Sequence, residues 1–401
     1  MKKVLLSTSA LVSVAFAAQQ AQAADPIELS VGGYQYWGTF LADNDDNPAA
    51  GTLPAQPGFN RYDTRIQFDG EIQFKGKTIL DNGLEVGVRF ELEGETQGDQ
   101  MDETYAYIEG SFGQFRVGND DPVAYQMATA APYLNYIFAA NSPTIFTNGL
   151  SQFFSATGRT ALGAGYATFT TFPGMSGDDA SLMYFTPVFN GFQFGVSYAP
   201  DNGEARPAGV YNLGTRTLSN ATAPGLAEQY SIAGRYDGEI GDVGLTVAAG
   251  YLNNKEKAGG SGIAGDDMEA YDAGVVLYWG NWGLGGSYMA VDNMRAVAGT
   301  DTTAYDLGLA YWSDGAWSAG VYWLHQEIEY STANSAALPG PIAAGGGSVE
   351  DEFDAYRLMG QYDLGPGIAV TGALGWDTFD DGAVGDEYDS KFVGAGLIVE
   401  F

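Results

Sequence analysis

A strict alternation of polar and apolar side chains runs through residues 60–74. Arg61, Arg65 and the polar residues at every second position fall on one side, and Ile66, Phe68 and their counterparts fall on the other. Side chains of a β-strand point to opposite faces in turn, so this pattern predicts a strand with one polar and one apolar face. A soluble sheet can have the same alternation, so the number and spacing of strands must distinguish a soluble from a membrane-embedded sheet.

Fifteen further segments have the same strand character, which gives sixteen predicted strands. Closed bacterial outer-membrane barrels have an even number of strands, with long loops on one rim and tight turns on the other. Here long connections alternate with short ones at 111–112, 189–190, 280–281 and 313–315, and with a longer turn at 75–82. The predicted strands are 27–40, 58–74, 83–94, 102–110, 113–118, 180–187, 191–199, 228–238, 242–252, 269–279, 282–292, 302–312, 316–329, 352–363, 367–378 and 389–401.

Composition supports a membrane barrel over the other classes of all-β protein. The chain has 57 Gly, 25 Tyr and 22 Phe, and only 17% of its residues are charged, which is unusual for a soluble enzyme. Beyond the first residues no apolar run is long enough for a membrane-spanning helix. A secreted β-sandwich or β-helix is the alternative. A formal net charge of −33 argues against nucleic acid as a partner, and the absence of cysteine excludes disulfides and thiol chemistry.

The first residues have the features of a secretory leader. Lys2 and Lys3 provide a positive start, residues 4–18 are mostly apolar, and Ala21-Gln22-Ala23 has the small-residue pattern of a cleavage site. We therefore expect residues 1–23 to be a cleaved signal peptide and residues 24–401 to form a single barrel domain.

Aromatic residues recur beside the predicted tight turns, as expected for rings at the headgroup level of a bilayer. Core aromatics at hairpin ends would explain one such cluster but not its recurrence. The rings in question are Phe185 and Phe192, Tyr278 with Trp279 and Trp282, and Tyr311 with Trp312 and Trp317.

The stretch from Phe112 to Pro122 leads into the longest connection of the chain. In the 55 residues from 123 to 177, Arg159 is the only charged side chain, and aromatic residues are frequent. A loop of this length is either functional or disordered, and disordered segments are poor in aromatic residues. We therefore predict that this loop folds into the bore of the barrel and narrows it.

Four features, taken together in chain order, resemble the general porins of the proteobacterial outer membrane over nearly the whole mature chain. They are the leader, the turn Asp81-Asn82-Gly83-Leu84, the motif Gly110-Ser-Phe-Gly-Gln-Phe-Arg-Val-Gly118 and the terminal Phe401. The resemblance implies an all-β fold: a closed 16-stranded antiparallel transmembrane β-barrel whose long third external loop folds inward. It also implies a homotrimer in the Gram-negative outer membrane that lets ions and small hydrophilic solutes diffuse passively. In the family a terminal phenylalanine resembles the signal read by the barrel-assembly machinery.

Strand arginines are the candidate pore residues, because a charge on the lipid face would cost about 2–4 kcal/mol at mid-membrane. Porins similarly carry a basic cluster on the wall, which faces carboxylates of the inward loop. We assign Arg61, Arg65, Arg89, Arg116, Asp120 and Asp121 to the constriction, and Arg235 and Arg357 more weakly. Alternatively, each arginine pairs with Asp63, Asp69, Glu85 or Glu91 and only holds the wall together.

The predicted inward loop departs from the family pattern, because no carboxylate follows Asp121 until Asp178. The constriction is therefore expected to place arginines opposite an aromatic loop rather than an acidic one. The aromatic residues of that loop include Tyr133, Tyr136, Phe138, Phe146, Phe153 and Phe154.

The predicted external loops are acidic. Clustered carboxylates suit hard divalent cations such as Ca²⁺, which would bridge to anionic lipopolysaccharide, but a solvated charged rim explains them equally well. No cofactor is otherwise expected. An acidic rim concentrates cations while arginines favour anions, so total charge does not predict the net selectivity. These residues are Asp43, Asp45, Asp46, Glu95, Asp99, Asp102, Asp266, Asp267, Glu350, Asp351, Glu352, Asp380, Asp381, Asp386 and Glu387.

Three other functions fit an outer-membrane barrel. A substrate-selective channel, for example for sugars, could use the loop aromatics as a sliding surface. A barrel protease or lipase needs acid–base or nucleophilic chemistry, but the single histidine, His325, has no motif-like partner and is expected at the external rim. A structural adhesin would not need arginines facing the bore. The sequence thus predicts a channel rather than an enzyme.

Overall fold

Sixteen antiparallel strands of the described chain close into one barrel in the computed structural model of the protein. They are β1 (Glu28–Asn44), β2 (Thr64–Ile79), β3 (Glu85–Glu93), β4 (Thr104–Gly110), β5 (Gly113–Asn119), β6 (Ala180–Phe185), β7 (Phe192–Asp201), β8 (Gly225–Ile240), β9 (Val243–Lys257), β10 (Met268–Trp279), β11 (Trp282–Asp292), β12 (Thr300–Trp312), β13 (Trp317–Ser331), β14 (Ser348–Gly365), β15 (Ile368–Asp381) and β16 (Asp386–Glu400). Each pairs with its neighbour in sequence, and β1 pairs with β16 to close the ring. The predicted closed barrel of sixteen antiparallel strands is confirmed.

The structure describes residues 26–44, 64–94, 101–141, 170–173, 179–201, 225–257, 265–331, 348–382 and 386–401. The predicted leader, Arg61, and the loop residues Phe146, Phe153 and Phe154 lie outside these ranges. Between the strands, the described chain contains a short helix α1 (Val123–Met127) and a 3₁₀ helix (Met294–Ala296). No helix in these ranges is long and apolar enough to cross a membrane.

The strands present an apolar outer face and a more polar inner face. On β2, Ile66 and Phe68 are 70% and 52% exposed, whereas Gln67 and Asp69, which alternate with them, are half-buried. The same alternation places Val321 on β13 and Leu374 on β15 outward. Closure leaves no free strand edge, so every strand backbone can be satisfied within a bilayer.

Tight turns join the strands at one rim, and the predicted turn at 75–82 is wrong in extent. Strand β2 continues to Ile79, and the turn comprises residues 80–84, where Gly83 adopts a positive φ of 81° and its N–H donates to Leu80 O at 2.8 Å. Lys75 and Lys77 therefore lie in a strand. Their charges suggested a loop, but a strand can carry charges on the inner face of a water-filled barrel.

The strands also extend further than predicted at the opposite rim. Eight carboxylates assigned to loops lie in strand ends, where most of them face like charges in register, as Glu352 does opposite Asp380. Lys255 and Lys257 likewise belong to β9. The strands at this rim are as long as their backbone pairing, which continues through charged residues. Such residues suggest a loop when only the sequence is considered. The eight carboxylates are Asp43, Glu350, Asp351, Glu352, Asp380, Asp381, Asp386 and Glu387.

Most of the aromatic residues predicted beside tight turns do lie on the outer face. Trp279, Trp282 and Trp317 are 67%, 46% and 50% exposed, and the Tyr311 ring contacts both Trp282 and Trp317. Phe185, Tyr278 and Trp312 are the exceptions, because their strand positions place them on the inner face. Phe185 is only 7% exposed. Its parity in β6 matches that of buried Met183, so the ring faces the bore and not the bilayer.

Candidate functional site

The inner faces of β2 to β5 carry the charged wall of the barrel, and Arg65 lies toward its external end. Arg65 is opposite Phe40 of β1. Its Nε and Nη2 donate to the side-chain oxygen of Gln67 at 2.9 and 2.8 Å when the Gln67 amide is oriented with its oxygen toward the guanidinium. Six residues, or about 20 Å along the strand, separate Arg65 from Glu71. Arg65 therefore faces inward as predicted but lies apart from the other candidate residues.

Arg89 lies at the middle of this wall and is bound by carboxylates. Its guanidinium contacts Glu91 on the same strand, and its Nε is 3.9 Å from Glu103 Oε2. Lys75 of β2 faces Arg89 directly across the strand pair. The expected pairing of Arg89 with Glu91 is thus present. Lys75 and Glu103 are further charged neighbours of Arg89, which sequence reasoning did not identify.

Arg116 is held on β5 by both charge and aromatic rings. Its Nη1 donates to Asp120 Oδ2 at 3.0 Å and to Gln126 Oε1 at 2.9 Å. The guanidinium carbon also lies 4.8 Å from the ring centre of Tyr105 and 4.7 Å from that of Phe185. These contacts fix the guanidinium where β5 passes into the long loop.

Asp120 is buried directly after β5, and Asp121 beside it is partly buried. The Gln126 side chain donates to the backbone carbonyl of Asp121 at 2.5 Å, which ties the start of the loop to α1. Burial raises the pKa of Asp120, against the opposing effect of Arg116. Burial also raises the pKa of Asp121 well above its ordinary value, and the nearby Glu103 raises it further.

Glu103 completes this group one residue before β4. Its pKa is raised to about 8 by burial and by the neighbouring Asp120, while Arg89 acts in the opposite direction. Oxygen atoms of three other carboxylates, Glu71, Glu91 and Asp102, lie within 4.8 Å of one another at the same level. We name Glu71, Glu91, Asp102, Glu103, Asp120 and Asp121 the wall cluster.

Residues 123–141 follow the inner face of the barrel from β7 to β16. Along this track six of the inward wall positions that contact the segment are glycines, where a Cβ atom would meet it. The glycines are needed because the segment approaches the wall too closely for a wall side chain to fit between them. The pairs are Gly195 with Val123, Gly250 with Ala124, Gly274 with Thr129, Gly308 with Ala131, Gly394 with Phe138, and Gly396 with Ile137.

Hydrogen bonds also attach the same segment to the wall. The acceptor of two of these bonds is the carboxylate of Asp306, on the inner face of β12. Asp306 accepts from Ala131 N at 3.0 Å, from Asn141 Nδ2 at 2.6 Å, and from the backbone and hydroxyl of Ser287 at 2.6 and 2.7 Å. The carboxylate is buried, so these four bonds satisfy a charge that would otherwise be costly to remove from water.

The loop aromatics divide into two groups. Phe138 is buried and packs edge-on against Phe40 of β1 at 5.2 Å, with Phe392 of β16 nearby, so it anchors the segment. Tyr133 and Tyr136 are only partly buried, with ring centres 5.0 Å apart. Two of the three described aromatic residues predicted for this loop therefore keep part of their surface exposed.

The two weaker candidates, Arg235 and Arg357, both lie on the inner face. Arg235 pairs with Asp237 at 2.7 and 3.1 Å and donates to Ala128 O at 3.1 Å, which adds a tether for the loop. The Arg357 side chain is 2% exposed and forms an ion pair with fully buried Asp377. These contacts support a structural role for both arginines.

His325 lies near the external end of β13, as predicted, but it is largely buried. Its Nδ1 is 3.0 Å from Asp354 Oδ1 and its Nε2 is 3.2 Å from Glu327 Oε1. The ring also lies 4.8 Å from that of Tyr305. Its position alternates with that of inward-facing Leu324, so the imidazole is on the outer face, away from the wall cluster.

The comparisons with known proteins agree with this architecture. The family model described as Gram-negative porin matches residues 7–382. A comparison with curated protein sequences finds no significant match. Among solved structures, an anion-selective porin from Comamonas acidovorans has 16% identity and a TM-score of 0.58, covering 94% of this chain and 100% of its own.

Two further solved structures have similar scores. OmpF of Salmonella typhi, in a complex with daunomycin, has 15% identity and a TM-score of 0.57, covering 93% of this chain and 97% of its own. The outer-membrane channel DcaP of Acinetobacter baumannii has 10% identity and a TM-score of 0.58, covering 94% and 97%. At these identities the likeness shows a shared fold and does not transfer the ion preference or ligands of those proteins.

Proposed function

This chain belongs to the Gram-negative porin family, and we propose that its channel is narrowed from within by residues 120–141. It is an outer-membrane channel for passive diffusion, as the family match over nearly the whole chain and the porin barrel establish. The contact track of residues 123–141 along the inner wall is the observation that carries the proposal. A segment attached there occupies part of the cross-section of the bore, through which ions would otherwise pass.

Within this channel we assign the narrowest region to the wall cluster together with Arg89 and Arg116. Arg65 lies on the approach, about 20 Å away along β2. The two guanidinium groups at the constriction already bind carboxylates, Arg89 with Glu91 and Arg116 with Asp120. The expected wall of free positive charge is therefore replaced in this proposal by a mixed wall in which cations are interspersed among carboxylates.

We propose the same passive role without a chemical step. His325, the only histidine, faces outward between Asp354 and Glu327, where it supports the wall and does not meet a solute in the bore. The position of its ring supports a packing role, as does its contact with Tyr305.

The external part of the outer surface suits anionic lipid bridged by divalent cations. A row of contacting rings crosses four strands, from Tyr305 through Trp323 and Tyr356 to Trp376. Carboxylates lie beside it, and Trp323 donates to Asp354 Oδ1 at 2.7 Å. We propose that Ca²⁺ or a similar ion joins these outward carboxylates to lipopolysaccharide headgroups.

The remaining assignments follow from the family. We propose a homotrimer, export directed by residues 1–23, a barrel domain over 24–401, and recognition of terminal Phe401 by the barrel-assembly machinery. Phe401 is 64% exposed and its N–H donates to Gly33 O at 3.0 Å, so the ring is accessible on a fixed backbone.

Planar-bilayer recording of the purified full-length protein tests the channel directly. We expect stepwise conductance increments that appear in groups of three and scale with salt concentration, because three water-filled bores conduct independently. Heat-modifiable mobility on a gel would establish that the sample is folded. A folded sample that opens no channels would refute the diffusion function.

A further inference from the structure

Carboxylates exceed cations along the charged wall. On the inner faces of β2 to β5 and in the adjoining residues 101–103 and 120–121, the described chain has twice as many carboxylates as cations. The carboxylates are Asp69, Glu71, Glu85, Glu91, Glu93, Asp102, Glu103, Glu109, Asp120 and Asp121. The cations are Arg65, Lys75, Lys77, Arg89 and Arg116.

The cations of this wall are also compensated locally. Arg89 and Arg116 each contact a carboxylate, and Lys77 Nζ is 3.3 Å from Glu85 Oε2. Such pairs present little net charge to a passing ion. Even when Glu103 and Asp121 are left out of the count, four carboxylates of the wall cluster face two arginines and Lys75. A residual negative potential in a narrow bore draws cations and excludes anions.

A row of aromatic rings begins at the wall cluster. Tyr34 donates to Glu71 Oε2 at 3.5 Å and stacks on Tyr36 with ring centres 4.5 Å apart. Tyr36 belongs to a buried cluster against which Tyr136 and Tyr133 of the loop pack, and these two loop rings lie 5.0 Å apart. The row therefore passes from the β1 wall to the loop.

A second pair of rings begins on the same segment, where the Tyr125 ring lies 5.7 Å from that of Phe172. Tyr125, Tyr133 and Phe172 are only partly buried. The faces of aromatic rings attract cations, and they attract quaternary and primary ammonium groups on apolar stems in particular.

We propose that the channel prefers small organic cations over anions and over neutral solutes of the same size. This inference rests on the proposed diffusion channel and adds the class of solute that it favours. The carboxylate surplus selects for positive charge, and the tyrosine row favours an ammonium group with an apolar body over a bare metal ion. The two features are independent, so each can be tested separately.

The decisive measurement is the reversal potential of the reconstituted full-length protein under gradients of potassium chloride and of choline chloride. We expect a cation-selective sign in both salts, with choline permeating at least about threefold better relative to chloride than its mobility predicts. A chloride-selective sign would overturn the proposal while leaving the channel intact. Absence of any conductance would instead refute the diffusion channel itself.

Two variant pairs separate the charge from the rings. Glu71→Gln with Glu91→Gln is expected to lower the preference for potassium and choline alike, whereas Asp242→Asn in the exposed β8–β9 turn should not. Tyr34→Leu is expected to lower choline relative to potassium, whereas Tyr34→Phe keeps the ring and the preference. Tyr288→Leu on the outer face is the matched control. Equal effects of Tyr34→Leu and Tyr288→Leu would overturn the role of the row.

The selectivity is also expected to depend on pH through Glu103. Its pKa of about 8 means that the carboxyl is mostly protonated at pH 7 and gains charge as the pH rises to 9. Asp120, Asp102 and Glu71 face it as carboxylates, and Arg89 faces it as the cation. Cation preference should therefore increase between pH 7 and pH 9 in the wild type. Glu103→Gln should remove this increase, and an unchanged increase in that variant would exclude Glu103 as its source.

Discussion

Replacing residues 123–177 by a linker of a few residues is expected to raise the single-channel conductance about twofold or more, because a sixteen-stranded barrel without an inner segment encloses a wide aqueous channel. The deletion is geometrically simple. The N–H of Asp120 donates to Asp179 O at 3.4 Å, so the two ends of the loop already lie side by side at the barrel wall. The measurement is the conductance increment in planar bilayers at fixed salt.

The deletion variant needs evidence of folding before its conductance is interpreted. Heat-modifiable mobility and a β-sheet circular dichroism spectrum would provide it. A folded variant with wild-type conductance would place the loop outside the conducting cross-section and contradict the proposed constriction. The sixteen strands and their ring pairing remain complete without the loop, so we expect the barrel to form.

Asp306→Ala is expected to lower the free energy of unfolding by about 2–4 kcal/mol and to loosen the inner segment. The substitution removes the acceptor of four hydrogen bonds and leaves the Ala131 N–H and the Asn141 amide buried without it. Urea unfolding in lipid vesicles measures the first effect. Increased open-channel current noise measures the second, because the segment would sample more than one position.

Asp314→Ala is the matched control for this substitution. Asp314 lies in the exposed turn after β12, where its side chain accepts from Asn281 Nδ2 at 3.4 Å. Its removal should change stability by less than about 0.5 kcal/mol. Asp306→Asn, which keeps the shape and part of the acceptor capacity, should fall between the two. Equal stability of the two alanine variants would show that Asp306 does not hold the segment.

The strands could be predicted because their signal is local. The alternation at Arg65 to Phe74 is complete within one strand, and glycines such as Gly83 mark the turns between strands. Strand ends could not be predicted as well. Lys75, Lys77 and the carboxylates near Glu352 look like loop residues, although backbone pairing continues through all of them.

The candidate site was only partly predictable, because its partners are distant in sequence. Arg116 and Asp120 are four residues apart, so their contact at 3.0 Å could be expected from the chain itself. The contact between Asp306 and Ala131 spans 175 residues and leaves no trace in local periodicity. The only available signal was an aspartate, Asp306, on a strand face that otherwise carries small residues. This signal does not indicate which residue the aspartate contacts.

The glycines on the inner wall have a consequence for how such a chain can change over time. Each one matches a particular residue of the inner segment, from Gly195 under Val123 to Gly394 under Phe138. An insertion in the segment would shift side chains off these positions, and a larger residue on the wall would push the segment away. Wall and segment must therefore vary in concert. In a related barrel, the positions of inward glycines on several strands should therefore indicate the path of the inner segment.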